Sequence, residues 1–376
     1  MKNLTIAICG ALLLVAQAGE SAAAGNATAS TPGYVFASFM GGGQDGLHLL
    51  TSMDGKTWRT VKNYASVYEP SSGIMRDPSI CLGGDGKYHM VWTTEWFSDN
   101  IGIAHSDDLL HWTPMEALYL WADYRGQGDE ESDGTRWPKD ITQPARHAPK
   151  VRNCWAPEIF YEDQTKEYVI YWTTGIDDPT VFPKTWDARA WKRLNHRVYY
   201  TTTKDFKTYT PRKFFYAPED RVVIDAFVCK VTPGQYRLLI KDEKKQRLYV
   251  CNSTKPLTSW ANLPRDFWSP MPEKAFVGSG IGDFPFNAEG PAAIQVGSEW
   301  LVYCDYWSKG KNGLFITTDF SVMKNITNEL HFPSWVRHGT SFKVPKAAVD
   351  KLSPPDQTIE TTHPSPDQKS VSSPST

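Results

Sequence analysis

Cysteine is scarce in this chain, with six in 376 residues at wide spacings. Cys9 falls in an apolar N-terminal segment, which leaves Cys81, Cys154, Cys229, Cys251 and Cys304. An odd set without a CxxC pair excludes a disulfide framework and the common zinc sites. Cys229 and Cys251 read as lying on neighbouring strands and are the one candidate pair. The alternative is that all five are buried thiols acting as small hydrophobes. Charge of one sign is missing too. With 40 basic and 42 acidic residues the formal net charge is -2. No basic field exists to hold nucleic acid, and no acidic run suggests a solvating tail. Long apolar runs are absent beyond the N-terminus. None reaches the roughly 18 residues of a membrane span, so no membrane partner is expected for the mature chain. Helical periodicity is almost absent as well.

The N-terminus has a leader's features. Lys2 supplies a positive start, residues 4–16 are apolar, and Ala22-Ala23-Ala24 offers a small-residue cleavage site, with Ala16-Gln17-Ala18 as the rival. The expectation is a signal peptide over residues 1–24 and a secreted or periplasmic protein, with a signal anchor as the alternative. At the other end, residues 351–376 are rich in Ser, Pro and Thr and read as a disordered tail.

Residues 33–350 contain one unit five times. An apolar strand is followed by a turn, an aromatic-rich strand, a strand ending near Ser/Thr-x-Asp, and often a Trp or Phe. The copies run over residues 34–58, 77–112, 155–206, 224–250 and 289–317. Short strands recurring at this spacing predict an all-β, five-bladed β-propeller. A sandwich does not predict the same unit five times. The segment from His338 to Val344 reads as a last strand that pairs with the N-terminal copy and closes the ring. Residues 121–152 and 176–195 fall outside the repeat as long insertions.

Four copies open on an acid: Asp77, Glu158, Asp225 and Glu289. In a propeller the first strand of each blade lines the axis, so these acids are expected to converge from equivalent positions. Like charges in a confined site cost free energy, so a purely structural protein has no reason to gather them. Glycoside cleavage has one. A carboxylic acid protonates the leaving oxygen, a carboxylate activates water or attacks, and a third acid keeps the donor protonated.

Arg76-Asp77-Pro78-Ser79-Ile80, Trp155-Ala156-Pro157-Glu158-Ile159, Ile224-Asp225-Ala226 and Ala288-Glu289-Gly290-Pro291 resemble the ordered motifs of glycoside hydrolase family 43. The resemblance runs from about Tyr34 to Val344. It implies a carbohydrate substrate, with Asp77 as general base, Glu289 as general acid, and Asp225 orienting Glu289 and raising its pKa. It implies inversion, with base and acid roughly 6.5–9.5 Å apart. It points to an α-L-arabinofuranosidase or β-xylosidase. Glu158, where relatives often carry Asp, reads as a pocket residue that binds or tunes. Trp96, Phe97, Arg76 and Trp155 are the further candidates for substrate contact. Trp96 and Phe97 serve equally well as core, and Trp155 as packing between blades. Arg76 beside the base either pairs with a carboxylate or is salt-bridged on a loop. Lys241 and Asp242, at the end of a strand of the fourth copy, either reach substrate or form a solvated turn, the second being preferred. No cofactor is required by this chemistry. His338 resembles a channel histidine with which some relatives hold calcium or another cation, directly or through water; a hydrogen-bonded core histidine is the alternative. Two other functions compete: a catalytically silent carbohydrate-binding propeller, and a retaining fructan-type hydrolase with carboxylates about 5–5.5 Å apart.

Overall fold

The computed structural model describes residues 32–144, 151–186, 195–272 and 288–354. The expected leader, residues 1–24, and most of the expected tail lie outside them. Strands dominate and form five antiparallel sheets, the blades of a propeller. Blades 2 to 5 each run in chain order. Their first strands are Arg76–Leu82, Trp155–Glu162, Val223–Thr232 and Ala288–Val296. These first strands pack on one another around the axis. Blade 1 is composite. Its innermost strand is the late Ser341–Val344, paired with Gly33–Ser38 in the register Gly33 to Val344 and Phe36 to Ser341. His48–Ser52 and Arg59–Thr60 complete it. The ring therefore closes through the segment after His338, as the repeat implied.

Alternation explains the packing. Within Tyr88–Thr93, Tyr88, Met90 and Trp92 join a core shared with blade 1, while Val91 joins one shared with blade 3. In Glu167–Thr174, Tyr168, Ile170 and Trp172 face blade 2, and Val169 and Tyr171 face blade 4. Each sheet is thus apolar on both faces, and the four cores are the seams between blades. The Ser/Thr-x-Asp repeat has a local cause. The hydroxyls of Ser52, Ser106, Thr203 and Thr317 each accept the amide three residues on, at 2.9 Å. The donor in each case, Gly55, Leu109, Phe206 or Phe320, has positive φ. The hydroxyl stabilises a left-handed turn that most of these side chains would otherwise resist.

The insertion after blade 2 is tied down rather than loose. Arg212, fully buried, donates to Asp123 at 2.6 Å and to the carbonyls of Leu120, Asp129 and Glu130 at 2.8–3.1 Å. Its guanidinium also lies over the Trp121 ring. All five described cysteines are free, including Cys229 and Cys251. A short helix, Lys346–Leu352, packs Val349 and Leu352 into the seam of blades 1 and 2. Ordered structure therefore extends two residues past the expected boundary at 350. No described helix is long and apolar enough to cross a membrane.

Candidate active site

Four innermost strands start with the same irregularity. Pairing slips between Arg76 and Ser79, between Ile224 and Phe227, and between Glu289 and Ala292. In blade 3 the slip falls on the partner strand opposite residues 155–158. One residue per bulge takes positive φ: Asp77 at 51°, Ala156 at 43°, Asp225 at 53° and Gly290 at 55°. Aligned on that residue, the acids are not equivalent. Asp77 and Asp225 occupy the left-handed position itself, Glu289 precedes it, and Glu158 follows it by two. This corrects the expectation of equivalent positions. A bulge re-aims the side chains around it, so a one-residue offset gives each acid a different direction and depth.

Asp77 is buried. Thr93 Oγ1 donates to its Oδ2 at 3.0 Å, and Nδ1 of His338 stands 3.3 Å from its Oδ1. Burial alone would raise its pKa. The hydrogen bond and charge of His338, with help from Arg76 and Thr93, overcome burial and pull it down to about 2. Thr93 also accepts the amide of Ala156 at 2.9 Å, which locks the bulge of blade 3 to that of blade 2.

Asp225 and Glu289 shift the other way. Burial raises both, and like charge raises them further, Asp77 acting on Asp225 and Asp225 on Glu289, although His338 and Lys241 oppose this. Asp225 Oδ2 accepts the amide of Gly290 at 3.0 Å. The residue after Glu289 is thereby fixed, and the Glu289 backbone with it. Glu289 keeps 21% side-chain exposure, while Asp225 is buried.

Sequence reasoning weighed Lys241 as a substrate contact or a solvated turn and missed its pairing with Glu289. It is 2% exposed and bridges Glu243 at 2.7 Å and Glu289 at 2.9 Å. Burial would lower its pKa, but Glu289, Glu243 and Asp225 push it above the ordinary lysine value. The solvated-turn reading is corrected. Lys241 lies next to the end of its strand, where Glu243 and the bulge-set Glu289 both pair with it. Its apolar neighbours in the strand carried the signal, since Leu238-Leu239-Ile240 precedes it. Arg337 was missed too. It pairs with Asp305 at 2.7 Å, the residue opposite Glu289 in the ladder.

Glu158 lies deeper than expected of a pocket residue. It is 4% exposed, and it accepts from Ser79 at 2.6 Å and Thr340 at 3.2 Å. Burial pushes it up to about 8, so it is neutral at pH 7. Of the two readings, tuning is the one its placement allows. His338 is 6% exposed. Burial opposes its charge, but Asp77, Asp225 and Glu158 raise it to about 9. Among the described residues no group of three His, Cys, Asp or Glu is placed to hold a metal. His338 Nδ1 stands 3.3 Å from Asp77 Oδ1, the contact that the hydrogen-bonded alternative implies.

The aromatic candidates form a rim. Trp96 and Phe97 are 50% and 60% exposed, so neither is core. Trp155 donates to the Trp96 carbonyl at 2.9 Å and stacks on His196 at 5.3 Å between centroids. Among the described residues Arg76 makes no ion pair within 4 Å, although its charge helps to lower the pKa of Asp77. Its guanidinium lies 4.6 Å from the Phe39 ring and 4.3 Å from the Trp96 ring.

A family model described as "Probable glycosyl hydrolase domain", related to glycoside hydrolase family 43, matches residues 30–350. The chain belongs to that family. No curated protein matches this hydrolase-family chain. Solved structures do. A family 43 β-1,3-galactosidase is 15% identical over 64% of this chain and 43% of its own, with a TM-score of 0.41. An α-L-arabinofuranosidase from Lactobacillus brevis is 16% identical over 67% and 72%, at 0.43. An exo-β-1,3-galactanase from Phanerochaete chrysosporium is 12% identical over 69% and 51%, at 0.44. The family 43-related chain thus spans under half the length of the first of these.

Proposed function

We propose that this family 43-related chain is an exported, inverting glycoside hydrolase acting on plant-type polysaccharides or oligosaccharides, of α-L-arabinofuranosidase or β-xylosidase type. Asp77 is the general base, Glu289 the general acid, and Asp225 the residue that positions and tunes the acid. The observation that carries this is the opposite drift of two carboxylates in one site. Asp77 is held ionised and Glu289 is biased towards its protonated form. Environments that push two acids apart divide the labour between them. Water gives its proton to Asp77 as it attacks the anomeric carbon, and Glu289 gives its proton to the departing oxygen. Lys241 then stabilises the carboxylate left on Glu289, while burial and Asp225 favour its reprotonation.

The test is a panel of aryl arabinofuranoside, xyloside, galactofuranoside and galactoside substrates on wild type and Glu289→Gln. Cleavage by wild type, lost in Glu289→Gln on natural polymers, supports the assignment. Full retained activity in Glu289→Gln removes it, and no turnover at all favours a silent binding propeller. Proton NMR of the first-formed anomer separates inversion from the retaining alternative.

A further inference from the structure

The cations around the carboxylates are nearly all committed. Lys241 is shared by Glu243 and Glu289, Arg337 is held by Asp305, and His338 faces Asp77. Arg76 is different. Among the described residues its side chain makes no hydrogen bond or ion pair, yet it is half-buried and sits next to Asp77 in the chain. Both contacts it does make are to aromatic rings, Phe39 from the N-terminal blade and Trp96 from the exposed rim.

Rings hold a guanidinium through its π face and leave its N–H donors, which lie around the edge, unspent. None of the Arg76 nitrogens is both buried and without a partner, so these donors face solvent and stay open to a ligand beside Asp77. The planar fork of arginine matches an anionic oxygen pair better than single hydroxyls, because two parallel bonds form at once. Lysine or glutamine would serve a neutral sugar as well. We propose that Arg76 reads an anionic group carried by the substrate, a uronate carboxylate or a sulfate ester, on the sugar that lies against Asp77 or its neighbour. This rests on the glycosidase reading of the site and narrows its substrate class to acidic glycans.

Paired substrates test it, because a glucuronide is a xyloside with one carboxylate added. The pairs are 4-nitrophenyl β-D-xylopyranoside with the β-D-glucuronide, α-L-arabinopyranoside with β-D-galacturonide, and β-D-galactoside with its 6-sulfate. Each is measured on wild type, Arg76→Gln and Arg76→Lys, and binding of glucuronate, galacturonate, galactose 6-sulfate and their neutral counterparts is measured by calorimetry on Glu289→Gln. The expected result is an acidic member preferred at least about tenfold, a preference lost in Arg76→Gln and partly kept in Arg76→Lys. The pair that shows the preference tells carboxylate from sulfate. Equal or better use of the neutral members overturns the proposal. So does an equal loss on both members in Arg76→Gln, which would make Arg76 only a support for Asp77. If no glycoside is cleaved, the hydrolase reading fails, and the binding arm still decides this one. Tighter acidic-sugar binding that needs Arg76 upholds it, and equal binding ends it.

Discussion

Asp225 accepts the backbone amide of Gly290, so one carboxylate of the site holds the strand that presents another. The same group sits close enough to Glu289 to raise its pKa by like charge. Position and charge are two separable contributions of one side chain. Asp225→Asn keeps an oxygen for the Gly290 amide and removes the charge. The basic limb of kcat/KM against pH is expected to move to lower pH, because Glu289 loses a proton more readily. Asp225→Ala removes both contributions. It leaves a buried amide unpaired, at a cost of about 1–3 kcal/mol in urea unfolding. If Asp225→Asn keeps the wild-type pH profile, the charge role is wrong.

Lys241 acts on Glu289 in the opposite sense. At 2.9 Å it favours the carboxylate form, which suits the acid after it has given up its proton. Lys241→Met is expected to shift the basic limb to higher pH. It also lowers kcat, since the ionised product state loses its counter-charge. The cost in stability falls on Glu243, whose half-buried carboxylate loses the same lysine. A pH–rate profile unmoved by Lys241→Met would detach the lysine from the acid.

The blades were readable because their causes are local. Apolar alternation made the seams, and the hydroxyl of Ser52, Ser106, Thr203 or Thr317 capped a left-handed turn within three residues. Ring closure was readable from the unpaired strand after His338. The offsets among the acids were not. Whether Asp77, Glu158, Asp225 or Glu289 faces the site depends on a bulge, and the bulge depends on pairing with the next strand. Lys241 fooled the sequence reading for the same reason. A lysine before Asp242-Glu243-Lys244-Lys245 reads as surface charge unless Glu289, 48 residues later, is known to sit beside it.

Glu158 makes stability fall with pH. Its pKa rises from 4.5 to about 8 on folding, so the folded chain binds more protons than the unfolded one across that window. Stability is therefore lost as pH climbs through it. His338 adds the same sign higher up. Its charge is kept until about 9, so its stabilisation is whole below 6.5 and lost as pH rises through 9. Asp77 has the opposite sign, and its contribution disappears only as pH falls through about 2. The melting temperature of the wild type should decline steadily from pH 5 to 8. Glu158→Gln accepts from Ser79 and Thr340 but cannot ionise, so its curve should fall less steeply than that of the wild type, the remaining slope coming from the raised Asp225 and Glu289. Parallel curves would show that Glu158 already carries its charge when folded.

Gly290 tests whether the site tolerates a side chain at its tightest point. It has φ 55°, and a Cβ there would lie 2.5 Å from Cγ of His338. The imidazole has little room to retreat, being buried and held against Asp77. Gly297 has a similar φ of 61° with nothing within 4 Å of such a Cβ. Gly297→Ala therefore measures backbone strain alone, about 1–2 kcal/mol. Gly290→Ala adds a collision in a packed site, for a total of about 2–5 kcal/mol in urea unfolding. It should also lower kcat sharply, because a displaced His338 no longer holds Asp77 ionised. Combining Gly290→Ala with His338→Ala removes the obstacle, so its loss of stability should be smaller than the sum of the two single losses. Strict additivity would mean that His338 does not confine Gly290.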